Sequence, residues 1–93
     1  MADVFKALAH PVRREVLKAL RDGPKTAGEL SGAFPVSKPT MSGHFTALRE
    51  AGLIVAERSG TTIRYRLNAS VADEAIGWLM ALVRTGNSEE DAE

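Results

Sequence analysis

Apolar residues recur at the three- and four-residue spacing of helices along most of this 93-residue chain. The spacing predicts five helices, over residues 3–9, 11–21, 26–33, 37–52 and 70–85. On the second helix the inward side chains are expected to be Val12, Val16, Leu17 and Leu20, and the outward ones Arg13, Arg14, Lys18 and Arg21. Their ends carry matching signals: Pro11 suits a first helical turn, and Thr26 with Glu29 forms a capping box. Ser70 is expected to cap the last helix, and Gly52 to stop the fourth.

Residues 53–67 follow the two-residue alternation of strands instead. Their apolar and basic side chains flank a turn at Ser59-Gly60, which predicts a β-hairpin that must pack against the helices. The fold class is therefore mainly α with a small β-hairpin, in the order α-α-α-α-β-β-α. One domain covers residues 1–87, with Gly86 and Asn87 as its last helix stop, and the acidic tail at 88–93 is expected to be disordered.

The helix over residues 37–52 has an unusual outer face. Its inner stripe consists of Met41, Phe45 and Leu48. The opposite face carries small or hydrogen-bonding side chains in place of the usual Glu–Lys pairs: Thr40, Ser42, Gly43 and Thr46, with Lys38 and Arg49 at the borders. Small side chains allow close approach, and the DNA major groove admits such a helix. A surface helix that is merely small and polar is the alternative.

The segments on either side of this helix favour DNA. The preceding helix and the tight turn at Phe34-Pro35-Val36 make a helix-turn-helix, and a basic hairpin after it is a wing. Arg58, Thr62 and Arg64 are spaced to meet phosphates, which position a protein on DNA without reading its sequence. The alternatives are a solvated strand face for Arg64 and a guard against edge pairing for Arg58.

Charge is distributed unevenly although the formal net charge is zero. Residues 1–68 carry eleven Lys and Arg against six Asp and Glu, whereas residues 69–93 carry one Arg against six acidic residues. The part that contains the helix-turn-helix therefore has an excess of +5. Because the local electrostatic field depends on where the charges lie, this part suits a polyanion although the whole chain is neutral.

The last predicted helix is apolar around most of the circumference of its second half. A helix that packs only on its own domain needs one apolar stripe, and this chain is too small to wrap two. A second copy of the chain is therefore expected to cover the rest, together with the first helix. The predicted dimer interface consists of Val4, Phe5, Leu8, Ile76, Trp78, Leu79, Met80, Leu82 and Val83. A last helix sunk in its own domain is the alternative.

Several function classes lack the residues they need. The chain has no cysteine, and its two histidines have no nucleophile or carboxylate partner in the pattern, so neither an enzyme nor a metal site is expected. His10 is interpreted as a cap or a ring packed on the surface. His44 is expected to contact DNA, with stacking in the core as the alternative. No cofactor, signal peptide or membrane span is expected, and the protein is predicted to be cytoplasmic.

The sequence resembles the ArsR-type winged-helix repressors. The resemblance is carried by residues 5–14, by the run Ser37-Lys38-Pro39-Thr40-Met41-Ser42-Gly43-His44-Phe45, and by residues 48–54 and 65–67. The end of the chain, with Trp78-Leu79, is similar to the Sdp-type autorepressor branch of that family. The resemblance implies a homodimer built from the first and last helices, bound to an inverted repeat near its own or a neighbouring promoter.

Three departures from the family pattern concern sensing and base reading. Where metal-sensing members have cysteines before the reading helix, this chain has Thr26 and Gly28. The last helix has Asp73 and Glu74 but no histidine for the other known class of metal site. Gly43 lies where a side chain often reaches a base, which weakens base reading there or permits closer backbone approach.

These observations together predict a sequence-specific DNA-binding transcriptional repressor that acts as a homodimer and could be autoregulatory. The residues expected at the major groove are Lys38, Thr40, Ser42, Thr46 and His44, and those expected at phosphates are Ser37, Arg49, Arg58, Thr62 and Arg64. The alternative is a winged-helix module that binds protein or RNA. An inducer or protein partner is left open, including an apolar ligand in a pocket at the dimer interface. Trp78 and Met80 would line that pocket, and packing in the core is the favoured alternative for these two residues.

Overall fold

The computed structural model describes the backbone of residues 1–92 and the side chains of residues 1–84. Within this part the chain forms five helices and a three-stranded sheet, in the order α1 (Ala2–Ala7), α2 (Pro11–Leu20), β1 (Lys25–Thr26), α3 (Ala27–Gly32), α4 (Lys38–Glu50), β2 (Ile54–Ser59), β3 (Thr62–Leu67) and α5 (Ala69–Ala92). A mainly helical chain with a small β-hairpin is confirmed.

The helix-turn-helix begins with the predicted capping box. The Glu29 amide donates to Thr26 Oγ1 at 3.0 Å, and the Thr26 amide donates to Glu29 Oε1 at 2.9 Å. These reciprocal bonds satisfy two backbone donors that a helix start leaves free. Hydrogen bonding of the Glu29 carboxylate, first to the Thr26 amide and then to the Thr26 side chain, favours its charged form and holds the pKa of Glu29 below its usual value. Ser37 caps α4 in a similar way by accepting the Thr40 amide.

Gly52 ends α4 as the sequence predicts. Its φ of +81° lies in the left-handed region, which glycine adopts without the steric cost that other residues meet. The Gly52 amide donates to the Arg49 carbonyl at 2.9 Å, and the Leu53 amide donates to the Leu48 carbonyl at 3.0 Å. Both bonds belong to a Schellman motif, so the chain turns directly from the reading helix into the wing.

The sheet has one strand more than the sequence predicts. Residues Lys25 and Thr26 of β1 pair antiparallel with Tyr65 and Arg64 of β3, which gives the strand order β1-β3-β2. Two residues are too few to show an alternating pattern, so β1 had no sequence signal. Between β2 and β3, Gly60 takes a φ of +62° at the first position of a two-residue loop.

The boundaries predicted for the last helix are wrong at both ends. It begins at Ala69 without Ser70 as its cap, and the Ala72 amide donates to the Asn68 carbonyl at 3.3 Å. It continues past Gly86 to Ala92, because a glycine inside a helix costs only about 1 kcal/mol relative to alanine and keeps its amide donor. Glu93 lies outside the described residues, and disorder of residues 88–93 in solution stays a prediction.

The core lies where the helices meet the sheet. Its buried side chains come from every helix, from β2 and β3, and from the turn between α4 and β2: Val4, Ala7, Val16, Leu20, Leu30, Met41, Phe45, Leu48, Leu53, Ile54, Tyr65 and Ala75. This confirms the predicted inner stripe of α4. The rings of Phe45 and Tyr65 lie 4.8 Å apart and join α4 to the wing. None of the described helices combines the length and apolarity that crossing a membrane needs.

Candidate nucleic-acid interface

The outer face of α4 is open and polar. Thr40, Ser42, Gly43, Thr46 and Arg49 are all exposed, as are Ser37 and Lys38 at the start of the helix. Ser37 Oγ donates to Thr40 Oγ1 at 2.9 Å. Apart from its chain neighbours and the backbone of its own helix, a Cβ added at Gly43 would meet no heavy atom within 4 Å. Nothing in the described part of the chain covers this face, so it is free to meet a partner closely.

His44 is placed differently from the other predicted contacts. It is half-buried, and its Nδ1 accepts a hydrogen bond from Arg13 Nε at 3.0 Å. The exposed His10 ring packs on it, with ring centroids 5.6 Å apart, which confirms the surface-ring interpretation of His10. His10 occupies the N-cap position of α2 but makes no side-chain cap bond. Burial, and after it the charges of Arg13 and His10, lower the pKa of His44.

Arg13 was expected to point outward from α2, and that expectation is wrong. Arg13 is half-buried and reaches across to α4. The sequence does contain a signal for this placement: Val16, Leu17 and Leu20 follow Arg13 at the i+3, i+4 and i+7 positions. Arg13 therefore begins the apolar stripe of its own helix, where a long side chain lies along the packed surface.

The wing presents a basic outer edge next to α4. Arg58, Thr62 and Arg64 are all exposed, as expected. Arg66 Nε donates to Glu57 Oε1 at 2.8 Å, which forms an ion pair between the two strands that the alternating sequence pattern does not reveal. In the strand register Glu57 stands opposite Arg64, so its carboxylate lies among the basic side chains of the hairpin.

A cleft of about 720 Å³ separates the helix-turn-helix from the wing. One wall carries small or polar residues of α3 and α4, including Gly28, Ser31 and Ser42, and the other carries Ile63 and Tyr65 of β3. Ser37 and Lys38 lie at the start of α4 in the same cleft. The cleft thus lies between the start of α4 and the hairpin, and its lining mixes polar side chains with apolar ones such as Phe45 and Ile63.

A second, apolar surface occupies α1 and α5. Six of the nine predicted interface residues are exposed: Ile76, Trp78, Leu79, Met80, Leu82 and Val83, with Trp78 at 51% and Leu82 at 60%. An apolar groove of about 290 Å³ next to them is lined by Phe5, Leu8 and Ile76, among others. Trp78 and Met80 do not line this groove and are exposed in the single chain, so they are not part of its core. A ligand pocket formed by these residues together with a second copy stays a prediction.

Val4 does not belong to this exposed surface. It is 5% exposed and lies in the core of its own chain with Ala7, so it has little area left for a second copy. Its neighbour Phe5 is half-buried and its ring lies 5.6 Å from that of Trp78. The direct contribution of α1 to a dimer would therefore come from Phe5 and Leu8, whereas Val4 holds α1 in position. Among residues 1–84, no group of three or more histidine, aspartate or glutamate side chains lies close enough to hold a metal ion.

Residues 8–57 match the model of a helix-turn-helix domain family. The chain is 37% identical over 89 residues to the transcriptional repressor SdpR of Bacillus subtilis (strain 168), covering 96% of this chain and 99% of that repressor. Its fold is similar to an ArsR-like transcriptional regulator from Rhodococcus sp. RHA1, with a TM-score of 0.86 at 28% identity, over 98% of this chain and 86% of the other.

It is also similar to the solution structure of the homodimeric winged helix-turn-helix DNA-binding domain of Mb0332 from Mycobacterium bovis. That match has a TM-score of 0.71 at 34% identity and covers 95% of this chain and 78% of the other. The fold and its two surfaces define a winged helix-turn-helix regulator. The chain belongs to the ArsR family of these regulators, which confirms the resemblance drawn from its sequence.

Proposed function

We propose that this protein is a sequence-specific transcriptional repressor that binds an inverted-repeat operator as a homodimer. The observation that carries the proposal is the outer face of α4, which is exposed, consists of small polar side chains and is followed by a hairpin whose Arg58 and Arg64 are also exposed. The relative SdpR is named a transcriptional repressor, and it aligns over nearly the full length of both chains. Repression would follow from occupation of promoter DNA.

The proposed contacts divide into base-reading and phosphate-binding groups. Lys38, Ser42 and Thr46 form one row along α4, and Thr40 and His44 lie on the other side of the open position at Gly43. The phosphate-binding group comprises Ser37, Arg49, Arg58, Thr62 and Arg64. In this division the first group determines sequence preference, and the second determines affinity and its dependence on salt.

Self-association supplies the second reading helix. Several large apolar side chains of α5 are about half exposed, which is unusual for a small monomeric protein. A second copy placed against them would bury these side chains and repeat the α4 face by two-fold symmetry. The two α4 helices would then lie about 34–36 Å apart, one turn of DNA, as an inverted repeat requires.

The test is a fluorescence anisotropy titration with the DNA upstream of the chain's own gene, at several salt concentrations. Tight binding that weakens steeply with salt is expected, because phosphate contacts release counterions. A Lys38/Ser42/His44 triple-alanine variant should remain dimeric and lose preference for this fragment over random DNA. As a matched control, Glu15→Gln on the exposed side of α2 should bind unchanged.

A triple variant that binds the fragment as well as the wild type would contradict the proposal and favour a module for protein or RNA. Binding to the chain's own upstream DNA would make the repressor autoregulatory. Because the proposed partner is chromosomal DNA, the proposal also has the protein act in the cytoplasm. We assign these surfaces a role in binding only, with no catalytic step and no metal. An inducer would act at the apolar groove lined by Phe5, Leu8 and Ile76.

A further inference from the structure

Arg13 connects the second helix to the reading helix through one polar contact. Its Nε donates to His44 Nδ1 at 3.0 Å, a bond between residues 31 positions apart in the chain. In the described part of the chain it is the one hydrogen bond that joins side chains of two different helices, and the side chains buried there are hydrophobic ones. The bond therefore fixes the relative orientation of α2 and α4 more specifically than apolar contacts alone would.

The direction of this bond determines which nitrogen of His44 carries the proton. The Arg13 guanidinium can only donate, so His44 Nδ1 must accept and cannot carry a hydrogen. In the neutral ring the hydrogen is then on Nε2. No hydrogen bond from Nε2 is formed within residues 1–84, and no buried side-chain nitrogen there lacks a partner, so Nε2 is accessible to solvent.

We propose that Arg13 is a positioning residue for DNA recognition, which fixes His44 in the orientation and tautomer that offer the Nε2 hydrogen to an acceptor on the duplex. The inference rests on the proposed function, because it assigns a second helix to the reading of DNA. Acceptors of the required kind are base-edge oxygens and nitrogens in the major groove and phosphate oxygens.

Protonation of His44 would break this arrangement. A hydrogen on Nδ1 would face the Arg13 Nε–H and remove the acceptor. The other titratable and charged groups on this side of the molecule are His10 before α2, Asp3 and Lys6 of α1, and Glu50 of α4, which shares a small cleft with Arg13. Burial and the charges of Arg13 and His10 favour the neutral ring that the proposal needs.

The first measurement is the ¹⁵N spectrum of the imidazole groups, which needs no DNA. The wild type should show His44 with its hydrogen on Nε2, and Arg13→Met should show a mixture of tautomers and a higher His44 pKa. Lys6→Met is the matched control, because it removes a nearby positive charge without touching His44. A His44 hydrogen on Nδ1 in the wild type would overturn the proposal.

The second measurement is a double-mutant cycle on DNA binding, with a duplex enriched from a random library by the wild type. Arg13→Met and His44→Ala should each weaken binding to this duplex about fivefold. The double variant should be no weaker than either single variant, because both remove one arrangement. Arg13→Gln, which keeps a side-chain donor, should restore part of the loss.

If the losses of affinity from the two single substitutions simply multiply in the double variant, the positioning role of Arg13 is wrong, whereas the proposal that the protein binds DNA still stands. If the wild type enriches no duplex, the proposed function fails, and the positioning role in recognition fails with it. The ¹⁵N spectrum would in that case still report whether Arg13 sets the tautomer, so the two failures are distinguishable.

Discussion

The rings of Phe5 and Trp78 lie 5.6 Å apart with their planes inclined at 56°. This contact joins the first helix to the last and places both at the edge of one apolar surface. Trp78 nevertheless keeps 51% of its area exposed, which means that the contact covers only part of the ring. The remaining area is the basis for expecting a second copy of the chain.

A charge in this surface should separate the dimer without unfolding the chain. Leu82 is 60% exposed and is not part of the core, so Leu82→Glu should leave the helix-turn-helix intact. In a dimer it would bury an unpaired carboxylate, and the dissociation constant should rise at least about a hundredfold. Sedimentation equilibrium measures this. Ser70→Glu, which adds the same charge at the exposed start of α5, should stay dimeric.

Gly43→Ala should have opposite effects on stability and DNA binding. The new methyl group meets open space, and alanine favours a helix interior by about 0.5–1 kcal/mol, so urea unfolding should show a more stable protein. If the α4 backbone approaches DNA closely at this position, the same methyl group should weaken binding. Gly77→Ala, another helical glycine with open space, should stabilise without affecting DNA. Unchanged DNA affinity in Gly43→Ala would exclude close approach here.

The acidic residue in the wing should reduce DNA affinity. Glu57→Gln would free Arg66 from its 2.8 Å ion pair and remove a negative charge beside Arg64, so it should strengthen binding and steepen the salt dependence. Arg58→Gln should weaken binding and make the slope of log affinity against log salt shallower by about 0.9. Glu15→Gln, which breaks the exposed pair with Lys18, serves as control. An equal gain from Glu15→Gln would indicate a nonspecific charge effect.

Stability should fall as the pH is lowered through the range in which His44 titrates. The folded pKa of His44 lies below the ordinary 6.5, so the unfolded chain binds a proton first as the pH falls. The free energy of unfolding therefore decreases from just above pH 6.5 down to the folded pKa. His44→Gln should lose this part of the decrease in urea titrations at stepwise pH. A wild type that gains stability relative to His44→Gln on acidification would contradict this.

How far the sequence predicts the molecule depends on the kind of interaction. Elements with a long apolar period and a terminal signal, such as α4 with Gly52, are recovered closely because each feature is local. β1 is too short to show a period, and α5 passes Gly86 because one glycine does not stop a helix. Arg13 was misplaced because an arginine is usually solvated, and only the opposite helix supplies its partner His44.

The most direct measurement is the mass of the protein–DNA complex by native mass spectrometry, on a duplex with one inverted repeat. The wild type should add two chains per duplex with no stable one-chain species, and Leu82→Glu should lose most of its binding. Binding of a single chain with undiminished affinity, or equal binding by Leu82→Glu and the wild type, would contradict the central claim that two copies of α4 read one duplex together.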